Sequence, residues 1–400
     1  MNILFLATNF PYPPNSGHNL RTYNILKILS KSNNIHFLGF SKNKEYPTTD
    51  NPINAFCKSV ELFKATDDFS KSKMIFSLLL NFFSHYPYAL EKYYLQEMKN
   101  KINEIIINND IDLVHFDLLH LSMYIDIVGK VPKTLTEHNV ESERILKLVR
   151  NSTNLLFKMY MYIQYKKLYE FEKNICQKFD VCITVSDEDA DTLKKMCPAG
   201  RYYVIPNGVD TEYFRPGNNN PVPNSLVWVG GMHDFYNREA INYFCKEVFP
   251  LIKCKVSKIT FNAIGTSPTR RLINLSKHNK NVSAVGYVED IRPYVSSSSI
   301  FIAPMLSGGG TKLKVLNAMS MGKPVVTTNV GAEGIDLQNG ENIVIADNPE
   351  DYANGIIDLL KSPTLASKIG QNGRKLILRK YDWNVIGKKQ LELYNSIVER

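Results

Sequence analysis

The stretch IFIAPMLSGGGTKLKVLNAMSMGKPVVTT, residues 300–328, decides the fold of this 400-residue chain. Ile300–Ala303 is an apolar run of strand length, and Val325–Thr328 is another. Between them, Gly308, Gly309 and Gly310 permit left-handed backbone and let a bulky ligand come close to the main chain. Nothing from Lys312 to Met321 breaks a helix, and Gly322-Lys323-Pro324 stops it. Strand, glycine loop, helix and strand make one unit of a parallel sheet, whose ligands sit at the carboxyl ends of the strands. The first N–H groups of a helix lack intrahelical partners, and Lys312 and Lys314 add positive charge there, so the segment reads as an anion site. It is neither Gly-x4-Gly-Lys-[Ser/Thr] nor Gly-x-Gly-x-x-Gly. By themselves these residues leave a glycine-rich turn with solvated lysines open.

The same alternation runs outward in both directions. Strand-like runs fall at Ile3–Ala7, Ile35–Phe40, Leu113–Phe116, Lys133–Glu137 and Val181–Val185. They resume at Leu226–Val229, Lys258–Ile264, Val282–Val285, Ile300–Ala303, Val325–Thr328 and Asn342–Ile345. The Pro, Gly and Asn residues of 207–223 separate the two series as a linker. The expected fold class is therefore α/β, with two Rossmann-like doubly wound domains facing a central cleft, the default ligand site.

Composition narrows the function classes. At 44% hydrophobic and 22% charged, the chain can bury a large core. No run reaches the ~20 apolar residues of a membrane span, Met74–Phe83 being the longest candidate, and the N-terminus lacks a basic signal-peptide start. A cytoplasmic enzyme, with its six cysteines reduced and buried, is expected. The cysteines form no zinc-like spacing. The net charge of +9 lies mainly in residues 201–400, with 24 Lys and Arg against 17 Asp and Glu. Without a recognition motif or stacking array this argues against nucleic acid, leaving a solvated basic face or weak attraction to anionic surfaces. Arg144–Lys178, rich in Met, Tyr, Leu and Lys, reads as a helix that packs on the core, with peripheral membrane contact as the second reading. Asp187-Glu188-Asp189 reads as a capped helix start behind Ser186 rather than a metal-binding Asp-x-Asp.

Pro304 to Gly334, ending MGKPVVTTNVGAEG, resembles the donor-site signature of retaining family 4 glycosyltransferases (glycosyl transferases group 1), which have the two-domain GT-B fold. The resemblance covers nearly the full chain. It implies an acceptor-side domain at 1–207, a nucleotide-sugar donor domain at 208–383 and a final helix at 384–400 crossing back. It implies transfer of a sugar, with retention, from a nucleotide-diphosphate donor to a glycan or lipid-linked acceptor, in cell-surface polysaccharide or glycoconjugate synthesis. No cofactor and no obligatory metal are expected.

Carried onto this sequence, the family pattern makes His138, in Thr136-Glu137-His138-Asn139, a polar contact to the transferred sugar. Lys314 and the amides of Leu313 and Lys314 would stabilise the departing diphosphate. The remaining donor contacts would be Gly17, Gly231, Arg238, Tyr287, Val288, Gly309, Gly310, Thr311, Lys312 and Asn317. The family's Glu-x7-Glu falls on Gly309 and Asn317, so both acids are missing. Replacing the second loses a charge-assisted bond to ribose worth about 1.5–3 kcal/mol. Two alternatives stay open: a catalytically weak GT-B subunit that binds a partner or glycan, and a GT-B-like sugar-nucleotide epimerase.

Overall fold

A computed structural model of the chain describes residues 1–41, 51–65, 77–217 and 220–399. They form two compact units, Met1–Pro206 with Gly387–Arg400, and Asn207–Ile386.

In the first unit, seven strands lie in one parallel sheet: β1 Asn2–Ala7, β2 Asn34–Phe40, β3 Ser59–Phe63, β4 Leu113–Asp117, β5 Lys133–Glu137, β6 Val181–Thr184 and β7 Tyr202–Val204. Their order is β3-β2-β1-β4-β5-β6-β7. The order reverses between β1 and β4, so the crevice for a ligand lies at the carboxyl ends of those two strands. Central strands such as Ile3–Ala7 are buried along their whole length, which is why they are legible as continuous apolar runs. The edge strands β3 and β7 are only partly buried and were not expected from the sequence.

The stretch expected as one helix, Arg144–Lys178, is two helices and a short turn. Glu141–Asn151 ends before Ser152-Thr153-Asn154, and Leu155–Ile175 begins where the Asn154 side chain accepts from Phe157 N at 3.0 Å. The polar triplet stops one helix and caps the next. Ser186 caps the helix Asp187–Met196 by accepting from Asp189 N at 3.1 Å, as expected.

The second unit has six parallel strands: β8 Val222–Val229, β9 Thr260–Ile264, β10 Val282–Gly286, β11 Ser298–Ala303, β12 Val325–Thr327 and β13 Val344–Ile345. Their order, β10-β9-β8-β11-β12-β13, repeats the reversal between its first and fourth members. Ile300 and Ile302 enter one apolar cluster and Phe301 and Ala303 another, the two faces of a sheet buried on both sides. Tyr352 ties the ends of β11 and β12, donating to Val326 O at 2.6 Å and accepting from Ala303 N at 3.2 Å.

Residues expected as linker are partly built into this unit. β8 already begins at Val222, and its Pro223 falls where the pairing with β11 shifts register, so no ladder bond needs its missing N–H. Val209 donates to Tyr381 O at 2.8 Å and accepts from Trp383 N at 3.2 Å. Asn218 and Asn219 of the expected linker lie outside the described residues, as do Met74–Phe76 of the longest apolar run. Among the described residues no helix is long and apolar enough to cross a membrane. All six cysteines are free thiols; five are buried, but Cys254 is exposed, contrary to expectation.

Candidate functional site

Both sheets gather their polar loops at the carboxyl ends of the strands. In the first unit β4 ends on Asp117 and β5 is followed at once by His138. Asp117 is buried, and His138 Nε2 lies 2.7 Å from its Oδ1. His18, in the first turn of the helix Gly17–Leu29, brings its Nε2 to 3.4 Å from Oδ2. Thr22, one turn further, donates its hydroxyl to the same oxygen. The two imidazoles stack at 4.4 Å with 7° between planes.

Burial works against the Asp117 charge, yet His138 and His18 beside it hold its carboxyl well below the usual range. Burial pushes His138 the other way, below its ordinary value, despite the attraction of Asp117. The pair is thus a carboxylate and a neutral imidazole at neutral pH. A carboxylate only accepts, so Nε2 carries the proton and Nδ1 keeps the lone pair. In this tautomer the polar contact that the sequence reading expects of His138 is an acceptor at Nδ1.

The loop carrying His138 is held from behind. The helix Glu141–Asn151 has no cap of its own at Val140, and Glu172 of the neighbouring helix accepts from Glu141 N at 2.8 Å and Ser142 N at 3.1 Å. Burial, partly offset by these donors, raises the Glu172 carboxyl to about 7. Beneath the cluster, His115 of β4 contacts Thr134 Oγ1 at 2.9 Å and the Tyr394 hydroxyl at 2.8 Å, and burial lowers it to about 3. Arg21 is buried and donates to Pro206 O at 2.9 Å.

In the second unit the glycine loop follows β11 and leads into the helix Leu313–Ser320. Gly308 and Gly310 have φ of 108° and 72°, the left-handed region that a β-branched residue avoids. Lys312 occupies the position before the helix, and no side chain caps that start. Val315 N returns to Lys312 O at 2.9 Å, which leaves the amides of Leu313 and Lys314 as the unsatisfied donors of the first turn.

Lys314 Nζ is bonded to Asn237 Oδ1 and lies 4.9 Å from the centre of the Trp228 ring. Burial brings its ammonium down to about 8. Asn237 also donates to Gly231 O at 3.0 Å, so it ties the loop after β8 to the lysine. Gly265, after β9, packs so closely that a Cβ would meet Gly230 O at 1.9 Å. The ends of β8, β9 and β11 thus converge on one patch with an uncapped helix start and a desolvated cation.

Other expected residues stand differently. Lys312 Nζ turns back onto its own loop, to Gly310 O at 2.8 Å and Gly308 O at 3.2 Å, with Glu333 at 3.7 Å. Its charge orders the glycine loop. Thr311 Oγ1 lies 3.5 Å from Gly334 O, and Gly309 is exposed at the loop tip. Asn317 is half-buried on the same helix, one turn past Leu313. Arg238 is exposed on the helix Phe235–Tyr243. Tyr287 is 72% exposed after β10, while Val288 packs on the core. Gly17 is the first residue of its helix, behind Ser16, which caps Asn19 N at 3.2 Å.

The sequence reading missed Asp117, His18, Thr22 and Asn237. The signal for Asp117 was present, since a carboxylate ends a central apolar strand one residue past the expected run 113–116. The others meet their partners only through the fold. His18, Asp117 and His138 also present three ligand atoms within 4.8 Å of one another. As arranged, His138 and Asp117 share a proton at hydrogen-bond distance, and a cation would have to displace it.

Comparison with known proteins follows this division. The model of Glycosyltransferase Family 4 matches residues 78–213, and that of Glycosyl transferases group 1 matches 223–362, together more than two-thirds of the chain. An uncharacterised 44.6 kDa protein in the cps region of Klebsiella pneumoniae is 22% identical over 95% of this chain and 96% of its own length. The capsular polysaccharide biosynthesis glycosyltransferase CapM of Staphylococcus aureus is 24% identical over 48% of this chain and 54% of its own. The crystal structure of Anabaena HepE in complex with UDP superposes with a TM-score of 0.66 at 13% identity, covering 99% of this chain and all of that one. Two doubly wound parallel sheets, each reversing at its first strand, and two matching domain models in the same order make this chain a glycosyltransferase of family 4 with the GT-B fold.

Proposed function

We propose that the chain transfers a sugar, with retention of anomeric configuration, from a nucleoside-diphosphate donor to a glycan or lipid-linked acceptor. The setting is cell-surface polysaccharide synthesis, in the cytoplasm at the inner face of the membrane. The observation that carries this is the uncapped helix start at Leu313, preceded by left-handed glycines and flanked by the half-buried Lys314. Two orphan amides, the helix dipole and one desolvated ammonium form a receptor for a diphosphate.

In the reaction the bond from the anomeric carbon to the diphosphate oxygen breaks and the electron pair leaves with the phosphate. Donors aimed at that oxygen stabilise the charge as it develops. The acceptor hydroxyl attacks from the leaving-group face, and its proton passes to a phosphate oxygen, so no enzyme nucleophile is consumed. His138 Nδ1 accepts from a hydroxyl of the transferred sugar, with Asp117 fixing the ring. Lys314 is the catalytic cation, and Lys312 shapes the loop.

UDP is the first nucleotide to test, because HepE is solved with it. Incubation of enzyme, UDP-sugar and a glycan acceptor in EDTA should give product with the donor's anomeric configuration. Inversion, or transfer only after divalent metal is added, would overturn the reading. Asn317 favours a second reading, a weak transferase that mainly binds, because an amide replaces the ribose-binding carboxylate. Asn317→Glu separates the two: a tenfold gain in nucleotide affinity marks a degraded site, and a loss marks one adapted to Asn.

A further inference from the structure

The helix Phe235–Tyr243 holds the donor segment at three points with residues of its first two turns. A Cβ placed on Gly308 would stand 3.4 Å from the Tyr236 ring, the Asn237 oxygen accepts from Lys314, and Glu239 accepts from the Ser307 hydroxyl. Only the Asn237 contact touches the cation itself, and the Asn237 amide fits one way round. Its Nδ2 donates to Gly231 O at 3.0 Å; turned over, it would set its oxygen against that carbonyl and its NH2 against an ammonium. Gly230 makes the room for this cradle. A Cβ there would stand 2.7 Å from Lys314 Nζ, 2.9 Å from Trp228 and 3.0 Å from Asn237 Cγ.

The charged groups of the neighbouring elements are engaged elsewhere. Asp234, which attracts the ammonium, caps its own helix by accepting from Tyr236 N at 3.2 Å. Glu239 is taken by Ser307, and Glu333 lies 3.7 Å from Lys312, whose like charge opposes that of Lys314. His233 meets Thr266 Oγ1 at 3.0 Å, and Arg238 is exposed. What holds the half-buried Lys314 is thus a neutral oxygen and the face of Trp228. A carboxylate at 237 would keep the lysine charged but cancel that charge and repel a diphosphate. An aliphatic side chain there would leave the ammonium without its acceptor and favour the neutral amine. An amide oxygen stabilises the charge and leaves it open to an anion.

We propose that Asn237 is a positioning residue of the donor site: locked by Gly231 O, it aims the Lys314 ammonium at the diphosphate and keeps it charged without neutralising it. The inference rests on the reading of Lys314 as the cation that meets the diphosphate. It adds the residue that sets the pH range over which the site binds its nucleotide.

The test is calorimetric titration of UDP into the full chain and into Asn237→Leu, Asn237→Asp and Lys314→Ala, from about pH 6 to about pH 10. The Lys314→Ala profile is subtracted to remove the nucleotide's own ionisation, and circular dichroism reports folding. Wild-type affinity should fall as pH rises through about 8. In Asn237→Leu the fall should begin about one pH unit lower, leaving affinity at about pH 7 roughly tenfold weaker. In Asn237→Asp it should begin about one unit higher, from a plateau roughly tenfold weaker because the carboxylate opposes the phosphates. Shifts in opposite directions require an acceptor that faces the lysine, whereas a residue that only holds the loop would lower affinity alike at every pH. One profile shared by the wild type and both Asn237 variants, or shifts in the same direction, would overturn the assignment and leave Lys314 at the diphosphate. Wild-type affinity equal to that of Lys314→Ala across the range would remove the lysine from the diphosphate, and the inference would fall with that reading.

Discussion

The helices Gly17–Leu29 and Leu313–Ser320 both stand at the reversal of strand order in their units, one after the first strand, β1, and the other after the fourth, β11. Each follows a loop from a strand at the point where the strand order reverses. Their starts are chemically opposite. Ser16 caps the first helix by accepting from Asn19 N, whereas no side chain caps the second. The capped start contributes His18 and Thr22 to a carboxylate, and the uncapped one leaves amides for an anion. One topology thus carries a proton-sharing cluster in one unit and an anion receptor in the other, and the capping residue marks which is which.

The sharpest way to break this comparison is Gly310→Val. Forcing a β-branched residue to φ of 72° should distort the loop and lower UDP affinity about a hundredfold, with unchanged circular dichroism. Lys314→Ala should cost about tenfold or more in affinity through loss of a charge-assisted bond. It should also remove a pH dependence. Lys314 is charged below about 8 and neutral above, so wild-type affinity should fall as pH rises through 8 while the variant's stays flat. A flat wild-type titration would show that this lysine does not meet the phosphate.

Asp117→Asn probes the other unit. The amide no longer fixes the His138 tautomer, so transfer should drop about tenfold to a hundredfold, comparable with loss of a ligand-orienting partner, while UDP affinity holds within about twofold. A fall in UDP affinity equal to the fall in rate would place the cluster on the nucleotide instead. Ser16→Ala has the smallest expected effect. It should lower stability by about 1 kcal/mol in a urea melt and leave nucleotide binding untouched.

Much of the fold was legible because a parallel sheet buries its strands on both faces. Ile3–Ala7 and Ile300–Ala303 are continuous apolar runs for that reason. The partly buried β3 and β7 lack that signal, and Pro223 hid the start of β8. The glycine loop and its lysines could be read from adjacent residues. Sequence order could not tell what each lysine packs on: Lys312 folds onto Gly308 and Gly310, and Lys314 onto Asn237 and Trp228. The acidic cluster member Asp117 lies 21 positions from His138 and meets it only because β4 and β5 are neighbours.

The most direct test of the account is isothermal titration of UDP in EDTA into the wild-type chain, Lys314→Ala and Asp117→Asn. Micromolar binding by the wild type and by Asp117→Asn, with loss in Lys314→Ala, is the predicted result. Binding that survives Lys314→Ala unchanged, or that disappears in Asp117→Asn, would contradict the placement of the diphosphate at the uncapped helix.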